Sequence, residues 1–210
     1  MRLEISQKEY ISLINDRFNP NNIKNIMEIG SLDGKDSLFY KSEYPNANVY
    51  TIEGLYDNYE KYLKDNKDII AINVVITDHD GTIDYHKKNV NGIHGIFNRG
   101  DEYGTEIIKS VECKTFKTLC DEYNIDNIDF IKIDVEGASY EVIKGMGDRI
   151  KGIKMMHIET ESYPFFKNQK LHDDVCKLLE ENNYQMIDIT SVNISQGKQH
   201  DSVWLNKKFL

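Results

Sequence analysis

Apolar residues in this chain fall into short runs, spaced by amphipathic stretches that carry helical periodicity. This alternation predicts strands feeding helices in turn. Ser6-Gln7-Lys8-Glu9 has capping-box spacing and predicts a first helix from about Gln7 to Arg17, covering one end of a sheet. Strands are predicted at Ile26–Ile29, Val49–Ile52 and Ile69–Ile76, the last an almost continuous apolar run suited to a buried parallel strand. Helices are predicted at Asp36–Ser42, stopping before Pro45, and at Tyr56–Asp65. Asp78–Gly81 reads as a hairpin turn leading into Thr82–His86. Beyond it the pattern gives strands at Ile107–Cys113, Phe130–Asp134 and Ile153–Thr160, and helices at Thr115–Tyr123, Ser139–Met146 and Leu171–Asn182. A terminal strand pair follows, Tyr184–Thr190 with Ser202–Leu205.

No repeat, linker or shift in composition interrupts this order, which predicts one α/β domain over residues 1–210. Its sheet is mainly parallel with helices on both faces, and residues 1–24 form a short N-terminal helical extension. Residues 89–104 are the long irregular stretch, with four glycines interleaved with His94, Phe97 and Arg99. It is a candidate substrate loop in which His94 and Arg99 would grip hydroxyls or a phosphate, or else a solvated surface excursion.

Composition narrows the function. The formal charge of −9 gives the chain as a whole no basic footprint, so nucleic acid and anionic membranes are not expected partners, and a small-molecule or glycan acceptor fits better. The three cysteines form neither a zinc pattern nor a disulfide framework, which favours a reducing, cytoplasmic setting. Met1-Arg2-Leu3-Glu4 opens no signal peptide, and no apolar run reaches the ~20 residues of a membrane span. Oligomeric state is not readable from the sequence.

The candidate chemistry lies in the turn after the first strand. Gly30 and Gly34 permit a tight turn and close approach of backbone to a ligand, and Asp36 and Ser37 open a helix whose free N–H groups face an anionic ligand group. Glu53 ends the second strand roughly 20 residues on, where α/β nucleotide folds place a ribose-binding acid. The turn Gly30-Ser31-Leu32-Asp33-Gly34 lacks the second glycine of a dinucleotide fingerprint, and no phosphate loop is present. Glu28-Ile29-Gly30 instead resembles motif I of the class I S-adenosylmethionine-dependent methyltransferases.

The run Asp129-Phe130-Ile131-Lys132-Ile133-Asp134-Val135-Glu136-Gly137-Ala138, followed by Val142-Ile143-Lys144-Gly145, resembles the signature of the FkbM family of these enzymes. Glu28–Ser37 and His200-Asp201-Ser202-Val203-Trp204 extend the likeness from about Asn25 to Leu205. Ser139 replaces an acid common in the family, and Ser-Leu-Asp-Gly replaces a frequent Ala-Asn-x-Gly turn. The resemblance implies a Rossmann-like, seven-stranded methyltransferase domain with S-adenosylmethionine as cofactor. It implies O-methylation, usually of a sugar, glycan, nucleotide-sugar or natural-product hydroxyl. By position, Glu28, Gly30 and Ser31 would hold the amino-acid end of the cofactor, with Asp36 and Ser37 nearby and Asp134 able to receive its ammonium. Glu53 would take the ribose, and Val75, Ile76 and Thr77 would wall the adenine.

Methylating a hydroxyl requires its proton to leave as it attacks, so a base is needed, or a metal that acidifies the hydroxyl. Asp134, Glu136 and His157 are the catalytic candidates; Asp134 and Glu159 would hold a hard divalent ion if the reaction uses one, and otherwise no metal is expected. Competing roles stand beside these. Glu136 at a helix start is also a natural cap, His157 in an apolar strand is also a core histidine, and Tyr163-Pro164-Phe165-Phe166 is an acceptor wall or a hydrophobic plug. At the level of function, the alternatives are a non-catalytic cofactor-binding or scaffolding module, or an NAD-dependent oxidoreductase.

Overall fold

The computed structural model describes residues 5–90, 92–100, 104–194 and 196–210. Met1–Glu4 and parts of the 89–104 stretch (91 and 101–103) therefore lie outside the described residues. Among the described residues ten strands form two sheets. In order along the chain they are β1 (Asn25–Ile29), β2 (Asn48–Glu53), β3 (Ile70–Asn73), β4 (Val75–Thr77), β5 (Gly81–Lys88), β6 (Thr105–Thr115), β7 (Phe130–Ile133), β8 (Met155–Glu161), β9 (Tyr184–Ile194) and β10 (Gly197–Asn206). The larger sheet has seven strands in the order β3-β2-β1-β7-β8-β10-β9. Its first five strands are parallel, and β10 runs antiparallel to both β8 and β9.

Helices α1 (Gln7–Asn15), α2 (Lys35–Glu43), α3 (Tyr56–Asn58), α4 (Phe116–Glu122), α5 (Ser139–Lys144) and α6 (His172–Glu181) cover it. The expected capping box starts α1: Ser6 accepts from the Glu9 amide while Glu9 accepts from the Ser6 amide. The helix predicted at Tyr56–Asp65 is instead one α-turn continued by a π-helical stretch, Tyr59–Leu63. Among the described residues no helix is long and apolar enough to cross a membrane.

Strand alternation makes the two faces of the sheet unlike. One face is apolar over β1, β7 and most of β8: Met27, Ile29, Ile131, Ile133, Met156 and Ile158 pack with residues of α4, α5 and α6 into the larger core. The other begins apolar, with Ile26, Phe130 and Met155 against α1 and α2. It turns polar toward the carboxyl ends, because the next residues on that face are Glu28, Lys132 and His157, which the register places side by side across three strands. Asp201 pairs with Glu159 one step further. Polar groups are thus concentrated at the end of the sheet where α/β folds bind ligands.

One expected strand divides in two. The run Ile69–Ile76 becomes β3 in the large sheet and, past Val74, β4 in a second sheet of order β4-β6-β5. Asp78–Gly81 consequently does not close a hairpin: β4 pairs parallel with β6, which lies between it and β5. The loop after β5 folds back, with His86 and Gly95 exchanging both backbone hydrogen bonds, 2.8 and 3.2 Å.

Candidate active site

A cavity of about 270 Å³ opens over the carboxyl ends of β2, β1, β7 and β8. Its apolar walls include Ile29, Ile52, Val74, Val75, Ile76 and Val135, and its acids are Glu53, Asp134, Glu136 and Glu159. Among the described residues lining it there is no lysine or arginine.

Gly30 shapes the floor by a requirement of the chain itself. It has φ +84°, and a Cβ there would fall inside the carbonyl of Asp134, so β1 and β7 meet at a point only glycine fits. The Asp134 amide donates to the Ile29 carbonyl at 3.0 Å, fixing that junction. Ser31, beside it, has a buried hydroxyl with no partner among the described residues.

Glu53 is 4% exposed and braces the turn: its carboxylate accepts from the Leu32 and Leu55 amides, both at 2.8 Å, and from Asn58 at 3.4 Å. Burial raises its pKa against the pull of those bonds. With four lone-pair sites and three donors, the carboxylate keeps acceptor capacity for a ligand.

Glu28, Ser31, Asp36 and Ser37 are not among the residues lining this cavity. The Ser37 amide donates to Glu28 at 3.0 Å, so a helix-start N–H expected to meet a ligand meets the chain's own carboxylate. Burial pushes the Glu28 pKa up to about 8. Lys132 joins these acids, 2.6 Å from Asp36, 3.4 Å from Asp134 and 3.9 Å from Glu28. The sequence reading passed over Lys132, although a lysine inside Phe130-Ile131-Lys132-Ile133 is the signal of a buried, paired cation. Of the adenine-wall candidates, Val75 and Ile76 line the cavity, whereas Thr77 is buried beneath α5 with its carbonyl against Gly145.

Asp134, Glu136 and Glu159 converge: each offers a carboxylate oxygen within 4.8 Å of the others. Glu136 does not cap α5, whose cap residue is Ala138 and makes no side-chain cap bond. It stands in the left-handed region at φ +49°, followed by Gly137 at +85°. Its carboxylate lies 3.4 Å from Arg99, whose guanidinium is 5.8 and 5.3 Å from the Phe165 and Phe166 ring centroids. Burial first, then the Asp134 charge, pushes the Glu136 pKa up to about 8, with Arg99 opposing. Burial and the neighbouring acids raise Glu159 well above the carboxylate range, and Gln199 donates to it.

His157 faces elsewhere. It donates from Nε2 to Asp201 at 2.6 Å, its ring lies 5.0 Å from that of Tyr10, and it is 2% exposed. With Lys132, Gln199, Asp134 and Glu159 it borders a second, polar cavity of about 240 Å³ under the N-terminal segment.

Known proteins agree with this architecture. The model of the methyltransferase FkbM domain matches residues 28–186. The 2-O-methyltransferase NoeI of Sinorhizobium fredii is 25% identical over 161 residues, 69% of this chain and 66% of that protein, just under two thirds of its length. Among solved structures, M. capricolum TrmK in complex with S-adenosyl-homocysteine superposes with TM-score 0.54 at 13% identity, over 98% of this chain and 70% of that one. The N-terminal domain of EvdMO1 with the same product bound gives 0.55 at 10%, over 97% and 82%. Precorrin-6y C5,15-methyltransferase from Geobacter metallireducens gives 0.53 at 10%, over 97% and 90%. These likenesses establish the Rossmann-like methyltransferase fold. With the family model covering most of its length, the chain belongs to the FkbM methyltransferase family.

Proposed function

We propose that the chain is an S-adenosylmethionine-dependent O-methyltransferase acting on a hydroxyl of a sugar, glycan or nucleotide-sugar. The observation that carries the cofactor assignment is the cavity's lining: an apolar slot bounded by Glu53 on one side and by Asp134, Glu136 and Glu159 on the other, with no lysine or arginine among the described residues. A pyrophosphate needs clustered N–H donors and positive charge, whereas a sulfonium nucleoside needs acids and an apolar wall. Glu53 would hold the ribose and the Gly30 turn with Asp134 the amino-acid end, with Val75 and Ile76 against the base. When bound, the cofactor supplies an electrophilic methyl group.

Glu136 is the residue we assign as the base. A carboxyl with its pKa pushed up to about 8 is a far better proton acceptor for a hydroxyl than an ordinary carboxylate. Its left-handed backbone is the kind of strain that folds keep at functional sites. Asp134 and Glu159 lie beside it and would bind neighbouring hydroxyls of a polyol acceptor. His157, tied to Asp201 and Tyr10, acts as a positioning residue that anchors the N-terminal segment over the polar end of the sheet. The curated relative is named a 2-O-methyltransferase, which supports oxygen as the methyl acceptor.

The test is transfer of labelled methyl from S-adenosylmethionine to a panel of glycosides and nucleotide-sugars. Turnover of at least one hydroxyl acceptor, lost by 100-fold or more in Glu136→Gln, is the expected result. Dialysis against EDTA is expected to leave it intact; loss restored by Mg²⁺ would reassign Asp134, Glu136 and Glu159 to metal binding.

A further inference from the structure

The acids of the cavity are hydrogen-bond acceptors, but a nucleoside also presents acceptors and needs donors opposite them. Two side chains from the β5 region meet that need. Tyr85 packs its ring on Gly54, where a Cβ would stand 3.1 Å from Cε2 of the ring. The residue is 8% exposed and lines the cavity, yet its hydroxyl has no partner among the described residues. Burial and the nearby Glu53 and Glu136 carboxylates hold the phenol pKa well above 10, so it remains an O–H donor.

His94, also 8% exposed, lines the same cavity from the loop that folds back on β5. The Lys88 amide donates to its Nδ1 at 3.0 Å. A backbone N–H can only donate, so Nδ1 carries a lone pair and the ring proton sits on Nε2. Burial lowers the pKa and keeps the ring neutral. Among the described residues Nε2–H has no partner. Both donors are reachable from the cavity rather than sealed inside the protein, so two unpartnered donors border one cavity and are free to donate to a ligand in it.

We propose that Tyr85 and His94 read the adenosyl part of the cofactor, the phenol O–H and the imidazole Nε2–H donating to its ribose oxygens or purine nitrogens while Glu53 accepts from the ribose hydroxyls. The part of the 89–104 stretch around His94 then closes the cofactor cavity, and does not serve only as an acceptor loop. This inference rests on the cofactor assignment above.

Calorimetric titration of S-adenosylhomocysteine into the full chain tests it, using wild type, Tyr85→Phe, His94→Asn and His94→Gln. Phe keeps the ring on Gly54 and removes only the hydroxyl. Asn places an oxygen where Nδ1 accepts from Lys88 but its N–H groups stop short of the Nε2 position, whereas Gln reaches that position with an N–H. Tyr85→Phe and His94→Asn are each expected to weaken binding about 5- to 20-fold with unfolding temperature maintained, and His94→Gln to lose less than His94→Asn. The His94 Nε2–H resonance is expected to shift when the product binds. Wild-type binding with both Tyr85→Phe and His94→Asn within twofold of it, and no shift, would overturn this inference and leave the cofactor assignment standing. Failure of folded wild type to bind would overturn the cofactor assignment and this inference with it.

Discussion

Glu136 combines a left-handed backbone, a buried carboxyl and, among the described residues, one paired cation, Arg99. Because its pKa is pushed up to about 8, the base form accumulates as pH rises through that value. Methyl transfer is therefore expected to climb with pH and level off above about 9, and Glu136→Gln to flatten the profile while lowering the rate. Arg99 pulls the carboxyl down, so Arg99→Gln is expected to move the rising limb to higher pH. A limb unmoved in Arg99→Gln, or one persisting in Glu136→Gln, would assign the titration to another group. Glu53 and Glu136 were both singled out in the sequence, one directly after the Val49–Ile52 run and the other two residues past the end of Phe130–Asp134. The inward turn of Glu136 away from α5, and the pairing of Arg99 with it, were not. They depend on contacts between segments 37 positions apart, which local pattern does not encode.

At the scale of elements, the N-terminal segment is fastened to the end of the sheet by few groups. The Ile5 amide donates to Asp201 at 2.7 Å, and the same carboxylate accepts from His157 at 2.6 Å. Asp201→Ala leaves both donors buried without a partner and is expected to cost about 2 kcal/mol in urea unfolding. Ser6→Ala, which removes only the capping interaction of α1, is expected to cost about 1 kcal/mol. Equal and negligible losses for the two would mean that neither bond holds the segment in place. Capping and the succession of strands and helices were readable because they are written in neighbouring residues. The division of Ile69–Ile76 was not: an apolar run says that a strand is buried, but not that Val74 carries it from one sheet into another. That division positions β5, and so brings Tyr85 and the His94 loop to the cavity.

Across the whole molecule the acids outnumber the bases, 35 to 26, and several are buried at one end of the sheet. Glu28 and Glu136 near 8, and Glu161 near 7, stand above the ordinary 4.5 because burial penalises their charged forms. Between pH 4.5 and 8 the folded chain keeps protons that the unfolded chain has released, so raising pH through that window weakens folding. Asp78, Asp121 and Asp201 have lowered pKa values and contribute the opposite slope, losing stabilisation as pH falls below about 4. Thermal unfolding is expected to peak in mildly acidic buffer and to fall from pH 5.5 to 8.5; a rise across that interval would show that these carboxyls are ionised in the folded state. The α/β alternation made this architecture legible, and the Ile131-Lys132-Ile133-Asp134-Val135-Glu136-Gly137 run pointed to the family. The central claim is that the acid-lined cavity binds S-adenosylmethionine, and its most direct measurement is calorimetric titration of that cofactor into wild type and Glu53→Gln, with NAD as control. Micromolar-range binding by wild type, lost or strongly weakened in folded Glu53→Gln and absent for NAD, is the predicted result. Folded wild type that ignores the cofactor, or that binds NAD in its place, would contradict the account.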